Sequence, residues 1–264
     1  MPLAQRRLDP KLAALTLMPM DMKTLRAELT EWVRVATGAF LAYLAFTTVA
    51  FAQYSIPSES MVPHLEVGDR VAVSKFAYGY SRHALPFNAG ALLPASTHRL
   101  FERLPQRGDV AVFIHPLDGK TMIKRVIGLP GDTIQVRDGV LLINGAAVET
   151  SRPDLLLRRV RPHGREWAER YEETLPGGAT HATHNLTDAG HFDNFGPYVV
   201  PAGYFFAMGD NRDNSLDSRW DGMGPAPLEN LIGRAEIVYY VAPGCGHDPS
   251  AACPMPRWMR PLHH

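Results

Sequence analysis

Between Val35 and Ala52 the chain reads VATGAFLAYLAFTTVAFA, eighteen residues in which Tyr43 is the only ionisable group. As a helix this run would be about 27 Å long, close to the hydrocarbon thickness of a bilayer. Arg34 bounds it and can reach the headgroups. Arg6, Arg7, Lys11, Lys23, Arg26 and Arg34 all precede the run, and the next basic residue after it is Arg70. That asymmetry predicts one transmembrane anchor, with residues 1–34 cytoplasmic and everything after 52 on the other side. Two alternatives compete. A buried core helix would rarely abut so lopsided a charge pattern. A cleaved leader would use Ala50-Phe51-Ala52, a small-x-small site, but 34 residues is a long region to precede its hydrophobic part unless synthesis starts at Met20 or Met22.

Directly after the run stands YSIPSESMVPHLEVGD (Tyr54–Asp69), a polar, proline-flanked loop with Ser58 and Ser60 two residues apart. Its position at the end of a hydrophobic run needs a reason. Composition narrows the field. Lys plus Arg and Asp plus Glu are 27 each, so no general basicity supports nucleic-acid binding. Hydrophobic content of 45% with 20% charged residues excludes wholesale disorder. Gly and Pro, 22 each, predict short elements and many turns rather than a bundle. Cys245 and Cys253 close CGHDPSAAC and are compatible with a surface disulfide or with free thiols; with His247 they make a poor zinc set.

Beyond the anchor the pattern is mainly β. Arg70–Phe76 and Asp109–His115 alternate, each after a Gly-Asp pair. Thr133–Val136 and Val140–Ile143 flank Asp138-Gly139, a strong hairpin signal. Tyr198–Met208 and Arg234–Val241 add apolar, aromatic runs. From 146 to 197 the chain is more polar, with Arg158, Arg159, Arg161, Arg165 and Arg170 among Glu166, Glu169, Glu172 and Glu173. This reads as an inserted subdomain with a solvated charged face, splitting a catalytic domain of 53–145 and 198–264. His181, His184 and His191 lie in it, but no carboxylate or cysteine spacing completes a metal site.

Three further segments bear on chemistry: PSESM (Pro57–Met61), MIKRVIGLPGD (Met122–Asp132) and GDNRDNSLDSR (Gly209–Arg219). The last is no calcium loop, since Arg212 takes the third position counted from Asp210 and no glycine takes the sixth. Lys124 and Arg125 interrupt an apolar run. Strand alternation puts Met122, Lys124 and Val126 on one face and Ile123, Arg125 and Ile127 on the other, so one cation faces apolar surroundings. Desolvation there would depress a lysine. To be half neutral near pH 8 it must fall about two units, roughly 3 kcal/mol.

In order and behind a membrane span, these segments closely resemble the signature boxes of bacterial type I signal peptidases. Ser58–Pro63 resembles the serine box, Arg107-Gly108-Asp109-Val110 a further box, Lys124–Asp132 the lysine box and Gly209–Arg219 the final one. Glu173–Gly178 resembles part of the family's variable inserted domain. The resemblance implies a barrel-like or coiled β-sheet catalytic domain and a membrane-bound Ser/Lys endopeptidase that removes signal peptides from secreted preproteins, cutting after Ala-x-Ala. It implies Ser60 as nucleophile and Lys124 as general base, with Ser58 at the oxyanion. Ser215 would orient the lysine amine, Asp217 and Arg219 would form a bracing ion pair, and Asp210 would be a second support. Ile56, Met61, Leu65 and Ile123 would shape shallow substrate pockets. Met122 stands where an aromatic residue is common. No cofactor or metal is implied; the partners are preproteins and the lipid bilayer of the plasma membrane. The loop's position then has its reason: the substrate's cut lies just beyond a membrane-inserted segment, and eight residues from Ala52 to Ser60 span at most about 29 Å.

A self-cleaving repressor-type Ser/Lys protease would show a DNA-binding helix pair and no anchor. A silent membrane-tethered binding module would lack Ser60 or Lys124. Ser/His chemistry has His64 and His115 available, but no GxSxG elbow. A specialised relative serving a dedicated secretion system fits the same residues. N-terminal sequencing of the membrane fraction is expected to find the segment before Gln53 retained; a chain starting at Gln53 would overturn the anchor.

Overall fold

The computed structural model describes residues 21–85, 90, 92–94, 99–160, 164–187, 189–241 and 258–262, except the side chains of 48, 49, 156–160 and 164–166. Cys245 and Cys253 lie outside them, as does the region before Asp21. The chain divides into two compact units, one through Ala45 and one from Phe46 onward.

One α-helix, α1, covers Met22–Val49. Asp21 starts it, its carboxylate taking the Lys23 N–H and its carbonyl the Thr24 hydroxyl. The first half is charged, with an exposed Glu31–Arg34 pair at 3.0 Å. From Val35 no charge follows, and Phe40, Leu41 and Tyr43 are all exposed. The helix stops at Val49, short of the expected Ala52, because Phe51–Ser55 form a strand. The uncharged helical stretch is therefore Val35–Val49, about 22 Å at 1.5 Å per residue. Among the described residues no helix is long and apolar enough to cross a membrane.

The second unit is mainly β, as expected. A seven-stranded half-barrel sheet runs in the order β1 (Phe51–Ser55), β2 (Arg70–Ser74), β15 (Leu231–Tyr240), β3 (Val110–Ile114), β4 (Thr121–Gly128), β13 (Tyr204–Met208), β14 (Ala226–Pro227). The hairpin expected at Asp138-Gly139 joins β5 (Thr133–Arg137) to β6 (Val140–Ile143), with φ of 48° and 77° at the two turn residues. With β7 (Ala146–Ala147) and β12 (Phe195–Val199) it makes a second sheet. The single run expected over Tyr198–Met208 is thus two strands, parted at Gly203, where φ is 81°.

The insertion is a third sheet: β8 (Glu149–Thr150), β9 (Asp154–Val160), β10 (Gly164–Thr174) and β11 (Thr180–Asn185). Of the expected 146–197 segment, β7 and part of β12 pair with the second sheet rather than with this one. Its charge is not all solvated: Glu173, His181 and His184 are buried. Among the described residues no group of three His, Cys, Asp or Glu side chains is placed to hold a metal ion.

Three apolar clusters fill the interior: Ile56, Met61, Leu65, Val71, Val73 and Val112 with neighbours under β1–β3; Phe113, Val126 and Phe205 under β3, β4 and β13; Ile127, Ile134, Leu141 and Phe206 between the first two sheets. β4 thus has apolar packing on both faces. Gly108 marks where the insertion meets this body. Its φ is +95°, and a Cβ there would lie 2.6 Å from Ala179 Cβ. Gly108→Ala is expected to cost about 1–3 kcal/mol from strain and overpacking, read as a lower urea midpoint at unchanged slope.

Candidate active site

The nucleophile candidate sits on a short 3-10 turn, Glu59–Met61, for which Ser58 is the N-cap in extended conformation. N–H groups at the start of such a turn have no acceptor within it. The turn packs against β4. Ser60, 6% exposed, and Lys124, 3% exposed, meet there, with Lys124 Nζ donating to Ser60 Oγ. Ser58 Oγ lies 3.2 Å from Ser60 Oγ. Of the two candidate histidines, His115 does other work: its Nδ1 accepts the N–H groups of Leu117 and Asp118 in its own turn.

Both cations of the Lys124-Arg125 pair are buried, where alternation had predicted one, because both faces of β4 are covered. Arg125, 0% exposed, spends its guanidinium on Asp210, Nε to Oδ1 at 2.8 Å and Nη2 to Oδ2 at 2.7 Å. Its Nη1 donates to the Gly108 carbonyl at 2.7 Å. Asp217 is held in the same way by Arg219, Nε to Oδ1 at 3.0 Å and Nη2 to Oδ2 at 2.9 Å, and it also accepts the Gly209 N–H at 2.9 Å. The Arg219 guanidinium covers the Phe192 ring, 5.1 Å from its centroid.

Desolvation pulls the Lys124 amine down from its ordinary value to about 8. Asp217 and Asp210 oppose the shift and Arg219 assists it. Burial alone would raise the Asp217 carboxyl; Arg219, the Gly209 N–H and Lys124 outweigh burial and hold it below the usual range. A lysine near 8 is an amine that is partly neutral at neutral pH and able to accept a proton from the alcohol beside it.

Residues 208–219 form a closed loop. Ala207 and Ser218 latch its neck: Ser218 N donates to Ala207 O and Ala207 N to Ser218 Oγ, both at 3.0 Å. Asn211 ties it to the nucleophile, N to Ser60 O and Nδ2 to Glu59 O, each 3.1 Å. Gly209 is pressed between Ser60 and Ser215; a Cβ there would lie 2.5 Å from Ser60 O and 2.2 Å from Ser215 Oγ. The orienting bond expected from Ser215 to the lysine is not made. Ser215 Oγ is buried with no hydrogen-bond partner among the described residues. It lies against the backbone of Gly209 instead.

The five positions expected to shape substrate pockets divide. Met61 and Leu65 are 0% exposed and Ile56 is 2% exposed, so they lie beneath the surface in one cluster and present nothing for a peptide to touch. Met122 and Ile123 keep exposed surface on β4 beside Lys124. Sequence reasoning missed Arg125 as Asp210's partner and Asn211 as the tie to Ser60. Arg125 was visible only as the second cation of a pair, and nothing local marked Asn211.

The model of the family described as signal peptidase, peptidase S26, matches residues 29–240. Signal peptidase I of Rickettsia typhi is 33% identical over 225 residues, 83% of this chain and 81% of its own. Its namesake in Rickettsia bellii is 35% identical over 217 residues, 80% of this chain and 72% of its own. A crystal structure of a signal peptidase I from Enterococcus faecalis aligns with 50% of this chain and 97% of its own, at 27% identity and a TM-score of 0.30, too loose a superposition to argue from.

A buried lysine whose value is about 8 rather than 10.5 binds fewer protons folded than unfolded between those limits, so its burial penalty, about 3 kcal/mol, is in force below pH 8 and fades as pH rises toward 10.5. Lys124→Met is accordingly expected to raise stability by roughly 2–3 kcal/mol at pH 7, with the advantage shrinking through that window in denaturation curves taken at several pH values.

Proposed function

The chain belongs to the signal peptidase family, peptidase S26, whose members are serine endopeptidases, and we propose that it removes signal peptides from exported preproteins with Ser60 as nucleophile and Lys124 as general base. The observation that carries this reading is the hydrogen bond between Lys124 Nζ and Ser60 Oγ, made where the amine is driven down to about 8.

On this reading the steps are these. Neutral Lys124 takes the Ser60 proton as Oγ attacks the scissile carbonyl, giving an ammonium and an anionic tetrahedral intermediate. The Ser60 N–H, at the start of its turn, and the Ser58 hydroxyl stabilise that oxygen. The ammonium then protonates the leaving amine, and an acyl-Ser60 remains. A water molecule then loses a proton to the neutral Lys124 amine and adds to the acyl carbon; collapse frees the signal peptide's carboxyl end, and Lys124 returns that proton to the departing Ser60 Oγ. One base serves both halves because its charge is never fixed by a neighbouring carboxylate.

Cleavage after small residues is part of the proposal. What supports it is β4 around Lys124: Met122 and Ile123, on opposite faces of the strand, each keep partial exposure, and Ile123 packs over the cluster in which Ile56, Met61 and Leu65 are buried. A filled floor leaves room for alanine and little else. Membrane anchoring through the segment around Val35–Val49, with the N-terminus cytoplasmic, belongs to the same reading. It is supported by the exposed apolar side chains of that stretch and by the cluster of basic residues before it.

Cleavage of an Ala-x-Ala preprotein peptide is expected to fall at least about a thousandfold in Ser60→Ala and in Lys124→Ala, both remaining folded by circular dichroism. In the parent enzyme kcat/KM should climb with pH along a limb centred near 8, as the amine loses its proton. Near-normal turnover by Lys124→Ala would sink the dyad.

A further inference from the structure

We propose that the inserted hairpin β10–β11 is a positioning element for the Ser60–Lys124 pair, with Glu173 acting through Arg212 to fix the loop that holds Ser60. The inference rests on the Ser/Lys reading and extends it from the final signature segment, which holds Arg212, to Glu173 and His181 in the hairpin.

Glu173 and His181 face each other across the hairpin in register, so their side chains leave on the same side. Both are buried. Arg212, from the catalytic loop, binds Glu173 with both terminal nitrogens, Nη1 to Oε1 at 2.6 Å and Nη2 to Oε2. His181 Nε2 lies 3.6 Å from Glu173 Oε2 and 3.9 Å from Asp210 Oδ1. The imidazole thus stands between two carboxylates, each already bound in a fork by an arginine: Glu173 by Arg212, Asp210 by Arg125. The backbone joins as well. His184 N donates to Asp210 O at 2.8 Å and Arg212 N to His184 O at 2.9 Å, pairing β11 with the loop at Asn211.

From Asn211 the path to the nucleophile is one residue long. The same Asn211 whose flanks are clamped by the hairpin donates its N–H to Ser60 O and its side-chain amide to Glu59 O. Hairpin, loop and nucleophile turn are therefore joined by a continuous series of hydrogen bonds, buried at Glu173, Arg212, Asn211 and Ser60. A shift in Arg212 moves Asn211, and a shift in Asn211 moves the peptide carrying Ser60. A reacting hydroxyl displaced by even about 1 Å loses orders of magnitude in rate. The solvated face that the insertion's charge suggests is, on this side, an internal brace.

Two variants carry the test, compared with the parent enzyme and with Ser60→Ala and Lys124→Ala on the same Ala-x-Ala preprotein peptide, with folded fraction measured for each. Glu173→Asp keeps the charge and shortens the arm. Glu173→Gln combined with Arg212→Gln removes both charges, so neither is left unpaired in the interior. Both variants are expected to lose about 5- to 50-fold in kcat per folded molecule with KM changed less than about twofold. The ascending pH limb should move to higher pH as the loosened loop admits water to the amine. A contribution to stability alone would leave kcat per folded molecule and the limb where they were, and that result would overturn the proposal. If Ser60→Ala or Lys124→Ala also cleaves normally, it is the Ser/Lys reading that has failed; if both are inactive while the Glu173 variants match the parent, only the brace has failed.

Discussion

A lysine can be buried as its neutral amine only if the carboxylates near it are occupied elsewhere, and the structure around Lys124 is arranged to meet that condition. Asp210 and Asp217 both act on the amine and both raise its proton affinity. Two unit charges about 4 Å apart at an effective dielectric near 20 attract by about 4 kcal/mol, which would cancel the roughly 3 kcal/mol by which desolvation frees the lysine. Neither aspartate is available for such contact. Arg125 covers both oxygens of Asp210, and Arg219 covers both oxygens of Asp217. The arginines keep the anions soluble in the interior and keep them off the lysine. This explains why the cation adjacent to Lys124 is an arginine: it stays charged where a lysine would surrender its proton.

Those pairings also assemble the site from distant parts of the chain. Ser60 and Lys124 are 64 residues apart, Arg125 and Asp210 are 85 apart, and Glu173 and Arg212 are 39 apart. The half-barrel brings β4 beside β13, and the loop after β13 folds back over the turn that carries Ser60. The Arg125 guanidinium bonds to the turn before β3 and to that loop at once. One side chain therefore sets the spacing of two segments whose own local structure is only a turn.

The meeting of Ser60 and Lys124 was more legible in the sequence than its support. Ser60 and Lys124 stood out because each broke a local pattern: a polar loop pinned to a hydrophobic run, and a cation inside an apolar strand. Alternation along 122–127 could allot only one cation to the interior, since period two assigns faces but does not say whether both are covered. The brace through Glu173 and His181 was hidden for a related reason. In a segment crowded with Arg and Glu, the few buried charges look like the solvated ones, and their burial is decided by a loop almost forty residues away. The helix end was masked by composition: Phe51 and Ala52 continue the apolar run, yet they pair with Ser74 and Val73 on β2. The pocket positions were placed by resemblance, which carries over identity and order but not depth below the surface.

Gly209 shows what a missing side chain can do. Wedged between the Ser60 carbonyl and Ser215, it leaves no room on its Cα for even one more carbon. The loop's close seat on the Ser60 turn thus depends on a place where the polypeptide has nothing to offer but its own main chain. Any carbon added there would act as a shim, opening the hinge between loop and turn without touching either reactive group.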